Sequence, residues 1–214
     1  MINYIYLHGF ASSPKSAKAQ YISSHFQSAQ IPLIIPDLNQ NNFCQLTLTR
    51  QLQQVSSLFS HSPTPTRLIG SSLGGLTAAI LGQQFSQVER LVLLAPAFGF
   101  LELWLSYLGE DQLKQWQDTN SLLVYHYGEQ RSLPIHYQFV EDVKQYSLDS
   151  LTRPIPTLIL HGQQDEVIPI EFSRDYASKR PWVKLIELES DHSLTNVLPD
   201  IWSEIQKFLQ LNRD

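Results

Sequence analysis

The sequence has one cysteine, Cys44, among 214 residues. A single thiol cannot close an internal disulfide, and no cysteine pair is available for a zinc site. Nothing beside Cys44 in sequence suggests the polarising surroundings of a reactive thiolate, so it reads as a small, partly buried apolar residue. Charge is sparse too. Charged residues make up 16% and the net charge is -5, with no long basic run. That removes the electrostatic basis for a nucleic-acid partner. No stretch approaches the ~20 apolar residues of a membrane span. The start, Met1-Ile2-Asn3-Tyr4, lacks the charged opening and long apolar stretch of a secretory signal. These absences predict a soluble, cytoplasmic protein.

What is present is an ordinary globular composition, with 43% hydrophobic residues. The length suits a single domain over residues 1–214 with a sizeable core. Short apolar runs alternate with longer amphipathic ones. Strands are expected at Ile2–Leu7, Pro32–Ile35, Arg67–Gly70, Leu91–Leu94, Thr157–Leu160 and Val183–Leu188. Helices are expected between them. Ser13 and Pro14 read as the start of the first, with Ala19, Ile22 and Phe26 on its buried face. A second carries Leu46, Leu48, Leu52, Val55 and Leu58 up to a turn at Pro63-Thr64-Pro65. Leu73 to Phe85 reads as a third, and a last one follows Pro199.

This alternation predicts an α/β fold, a mainly parallel six-stranded sheet with helices on both faces. In such sheets ligands bind beyond the carboxyl ends of the strands. Residues 98–153 break the rhythm. They are rich in Trp and Tyr, with helical patches near 102–117 and 135–146. They read as a small cap insertion over the site, against the alternative of extra scaffold packing. Trp116 reads as a packing residue.

The strongest local signal is Gly70-Ser71-Ser72-Leu73-Gly74, a G-x-S-x-G directly after a strand and opening a helix. Such a turn lifts the serine hydroxyl above the sheet edge, near a helix N-terminus that favours developing negative charge. The pentapeptide alone fits equally a glycine-containing turn with Ser72 as a cap. A hydroxyl nucleophile needs a base. Seven histidines are available, and His192 alone follows the last strand. His25 and His61 read as surface residues, and His126 and His136 fall in the insertion. His8 and His161 each precede a glycine after a strand. The acid is expected between nucleophile and base, which selects Asp165 in His161-Gly162-Gln163-Gln164-Asp165. Glu166 is its competitor, Asp191 is the neighbour of His192, and Asp37 reads as a turn residue. The oxyanion of the tetrahedral intermediate needs two donors. Those expected are the backbone N–H groups of Leu73 and Phe10, the latter in the loop His8-Gly9-Phe10.

Taken together, Leu7-His8-Gly9-Phe10, Gly70–Gly75, His161–Asp165 and Asp191-His192-Ser193 resemble the α/β-hydrolase superfamily over nearly the whole chain. The segment Tyr6–Ser16 looks like that of the small bacterial YqiA/YcfP-type esterases. That resemblance implies a compact α/β-hydrolase fold without the first two strands.

The reading that follows is a serine hydrolase cleaving carboxylic esters or thioesters, with catalytic Ser72, Asp165 and His192. It requires no metal and no organic cofactor. Phe98, Phe100 and Trp104 follow the fourth strand and are expected to line an apolar acyl pocket, or else to pack the insertion onto the sheet. The expected partner is a small-molecule ester or thioester with an apolar acyl group. Acyl transfer and perhydrolysis share the same residues, and a silent binding protein on the same scaffold is the alternative of another class.

Overall fold

The computed structural model describes residues 2–59 and 64–211. The expectations for His61 and for Pro63 of the Pro63-Thr64-Pro65 turn lie outside the described residues. Five parallel strands form the central sheet: β1 (Asn3–Leu7), β2 (Thr66–Ser71), β3 (Val88–Leu94), β6 (Thr157–Gly162) and β7 (Val183–Leu188), in the spatial order β1-β2-β3-β6-β7. An antiparallel pair, β4 (Leu122–His126) and β5 (Arg131–Ile135), stands apart from it. The helices are α1 (Ala17–Ser28), α2 (Leu48–Ser57), α3 (Leu73–Gln84), α4 (Phe100–Thr119), α5 (Gln138–Val143), α6 (Glu171–Ser178) and α7 (Leu198–Leu209).

Side chains of a strand alternate between faces, and here each face has its own core. Tyr4, Tyr6, Ile69, Val92, Leu94, Leu158 and Leu160 meet Ala19, Ile22 and Phe26 of α1 and Ile201, Trp202 and Ile205 of α7. Ile5, Leu7, Leu68, Leu91, Leu93 and Ile159 meet α2, α3 and the insertion instead. The central strand β2 is buried along its whole length, as a parallel strand covered on both sides must be.

Three expectations need correction. The sheet has five strands, not six. In Pro32–Ile35 only Ile34 pairs, its N–H donating to Tyr4 O at 3.0 Å and its carbonyl accepting from Tyr6 N–H at 2.8 Å. Pro32 and Pro36 have no N–H to extend the ladder, so the segment stays a single bridge at the sheet edge. Helix α1 begins later than Pro14. Ser16 is its N-cap, accepting from Ala19 N–H, and Ser13 to Ser16 forms a turn before it. The insertion, expected to hold two helical patches, also holds the β4–β5 hairpin between them.

Within 98–153, α4 and α5 fall on the two expected helical patches. Trp116 is buried and donates from Nε1 to Ile135 O at 2.9 Å, tying α4 to the hairpin. Cys44 is partly buried, its thiol against Asn42 Oδ1.

Candidate active site

The site sits at the carboxyl ends of β1, β2, β6 and β7. Ser72 lies between β2 and α3 with φ 53° and ψ −119°, a strained conformation for a residue with a side chain. Its surroundings hold it there. Ser72 N–H donates to Leu94 O at 2.9 Å, and its carbonyl accepts from Gly75 N–H at 2.8 Å and Ala97 N–H at 3.0 Å. The glycines on either side allow the close approach. A Cβ on Gly70 would lie 2.2 Å from Gly74 O, and one on Gly74 would lie 2.2 Å from Leu7 O.

The three expected polar residues come together. His192 Nε2 lies 3.1 Å from Ser72 Oγ, and His192 Nδ1 lies 2.7 Å from Asp165 Oδ2. The Asp165 carboxylate has no exposed surface. Its Oδ1 accepts from Val167 N–H at 2.9 Å and Ile168 N–H at 2.8 Å, so it also caps the turn ahead of α6. Burial alone would raise the Asp165 pKa. Hydrogen bonds from His161 and His192, the His192 charge and the Ile168 N–H outweigh burial and hold it well below the usual carboxylate range. The competitors are elsewhere. Glu166 is exposed. Asp191 Oδ1 turns onto Ser193 N–H and Oγ and Leu194 N–H, which shapes the loop around His192 without touching the imidazole. Asp37 takes Asn39 N–H at 3.1 Å, as a turn residue would.

The loop after β1 lies beside the serine, since a Cβ on Gly9 would be 3.2 Å from Ser72 Cβ. Buried His8 fixes this loop. Its Nδ1 donates to Gly9 O at 2.9 Å, and its Nε2 accepts from Leu38 N–H at 2.9 Å. Among the described residues, neither Phe10 N–H nor Leu73 N–H donates to a protein acceptor.

The aromatic residues divide. The Phe10 ring packs against Phe43, Phe100, Trp104 and Phe139, with ring centres 5.3–5.8 Å apart. Phe100 and Trp104 are half-buried and stacked on each other. Phe98 is fully buried and stacks on Tyr176 of α6 at 4.4 Å, so it belongs to the core in this structure.

Three residues at the site had no role in the sequence reading. His161 and Ser173 lie behind Asp165, both without exposed surface. His161-Gly162 marked only a loop after a strand, and Ser173 gave no signal. Half-buried Lys18 of α1 donates to His192 O at 3.3 Å. Loss of water around its ammonium pushes it down to about 8, against the attraction of Asp165 and Asp191.

A family model described as Uncharacterised protein family (UPF0227) matches residues 3–210. The chain belongs to that family. It shares the α/β-hydrolase fold with several solved structures. Alpha/beta hydrolase domain-containing protein 10 from mouse superimposes with a TM-score of 0.81 at 21% identity, covering 97% of this chain and 89% of that one. Est1E from Butyrivibrio proteoclasticus, with ferulic acid bound, gives 0.84 at 18% identity, covering 98% and 88%. A putative hydrolase from Agrobacterium vitis S4 gives 0.84 at 21% identity, covering 97% and 87%. Among the described residues no helix is long and apolar enough to cross a membrane, and no cluster of His, Cys, Asp and Glu could hold a metal ion.

Proposed function

We propose that this UPF0227 member is a serine hydrolase that cleaves carboxylic esters or thioesters through an acyl-enzyme. The observation that carries the reading is the unbroken line from Ser72 Oγ through the His192 imidazole to the buried Asp165 carboxylate. Each link has the polarity the chemistry needs. Asp165 Oδ2 accepts from Nδ1–H, which leaves Nε2 free to accept the Ser72 proton.

Ser72 Oγ attacks the carbonyl carbon while its proton passes to His192 Nε2. The C=O electron pair moves onto oxygen, and the N–H groups of Phe10 and Leu73 receive that charge. Their lack of protein acceptors supports this role, since a donor held free costs little to aim at a developing oxyanion. The tetrahedral intermediate collapses, and the alcohol or thiol leaves with the proton from Nε2. Water then repeats the cycle on the Ser72 ester. Asp165 stabilises the imidazolium formed in both halves. None of these steps calls on a metal or an organic cofactor.

Residues 98–153 act as a cap in this reading. Phe100 and Trp104, around the Phe10 ring, offer an apolar surface to the acyl group. Ferulic acid on Est1E, an aromatic carboxylic acid on the same fold, supports an acyl site of this kind.

The test is turnover of esters and thioesters of graded acyl length by the wild type and Ser72→Ala. The wild type should act best on apolar acyl groups, and the variant should lose on the order of 10⁶-fold in kcat. Full activity in Ser72→Ala would sink the assignment. Product analysis with an added alcohol separates hydrolysis from acyl transfer.

A further inference from the structure

We propose that His161 is a positioning residue for this reaction, holding Asp165 from behind and setting how strongly its carboxylate supports His192; the inference rests on the serine-hydrolase reading. Asp165 Oδ2 accepts from two imidazoles, His192 Nδ1 at 2.7 Å and His161 Nε2 at 3.0 Å. His161 Nε2 also faces Ile168 O at 2.9 Å. Facing two acceptors, it must carry a proton. Nδ1 of the same ring lies 2.8 Å from Ser173 Oγ, which can donate to it. Ser173, His161, Asp165, His192 and Ser72 thus form one hydrogen-bonded line from the start of α6 to the nucleophile. Its first two members have no exposed surface and touch neither nucleophile nor base.

Two consequences follow. With Val167 and Ile168 N–H groups on Oδ1 and His161 on Oδ2, the carboxylate cannot rotate away from His192. The His161 donor also withdraws charge from the oxygen that faces His192. Removing it leaves a more electron-rich Oδ2, which favours the protonated imidazole. The acid limb of kcat/KM should then move to higher pH. Other charged groups face the line from each side: Lys18 of α1, Asp191 after β7, and Glu187 of β7 paired in register with His161. All are unchanged in the variants below.

The experiment compares wild type, His161→Phe, His161→Gln and Ser173→Ala on a p-nitrophenyl ester, with rates expressed per fluorophosphonate-titratable site. His161→Phe should lower kcat roughly 10-fold with KM little changed and shift the acid limb up by about half a unit. His161→Gln keeps an N–H in reach of Oδ2 and should recover most of both. Ser173→Ala should fall between. If His161→Phe fails to fold, the Ser173→Ala profile decides alone. Wild-type kcat and pH profile per titrated site in the variants would overturn the inference, as would a loss seen only as fewer sites. A wild type that neither labels nor turns over overturns the serine-hydrolase reading and this inference with it; labelled wild type with unaffected variants overturns this inference alone.

Discussion

Nε2 of His192 lies 3.1 Å from Oγ of Ser72, although 120 positions of sequence separate them. That contact depends on the tautomer that Asp165 imposes from the other side of the ring. Asp165→Asn can present an amide N–H to Nδ1 and turn the proton onto Nε2, where it blocks the base. It should fold, bind substrate, and lose roughly 10³–10⁴-fold in kcat. Steady-state kinetics checks this, with circular dichroism to show an intact fold.

Asp165 also links stability to acid. Its folded pKa is depressed, so its stabilisation is present above the unfolded value of about 3.9 and is lost as pH falls through the folded one. Wild type should therefore lose stability below about pH 4 more steeply than Asp165→Asn. Urea unfolding of both proteins at pH 7 and pH 3 measures it. The difference between them should shrink at the lower pH.

The close approach around the serine predicts an intolerant glycine. A Cβ on Gly74 would sit 2.2 Å from the Leu7 carbonyl oxygen, and neither backbone can give way. Gly74→Ala should cost about 3 kcal/mol or more. The midpoint of urea unfolding reports it, with activity falling as the elbow distorts.

Phe98 and Trp104 were read alike from sequence, and the structure separates them. Phe98→Ala removes a ring with no exposed surface and should cost about 3–5 kcal/mol. Trp104→Ala removes a half-buried ring beside Phe10 and should act on specificity. Its kcat/KM for long or aromatic acyl esters should fall more than for acetyl esters. Equal losses across acyl groups would place Trp104 with Phe98 as packing.

The contrast shows what the sequence could reveal. The meeting of Ser72, Asp165 and His192 was legible because each residue follows its own strand, and a parallel sheet gathers strand ends at one edge. The two buried faces were legible from near-continuous apolar runs such as Tyr4-Ile5-Tyr6-Leu7 between helical stretches. Ile34 was misjudged because pattern alone does not count the N–H groups that Pro32 and Pro36 lack. The hairpin was hidden because a short apolar run such as Leu122–Tyr125 suits strand and helix alike, and Tyr125 and Tyr127 are exposed. The place of His161 and Ser173 behind Asp165 was not legible because their pairing is tertiary: a β6 residue and an α6 residue meet behind a carboxylate, and neither the His161-Gly162 pair nor a lone serine in a helix signals it.

The central claim is that Ser72 is an activated nucleophile. Labelling with a fluorophosphonate followed by peptide mapping tests it most directly. One adduct per chain on Ser72 is predicted, absent in Ser72→Ala and strongly slowed in His192→Ala. No adduct, or an adduct on another residue, would contradict it.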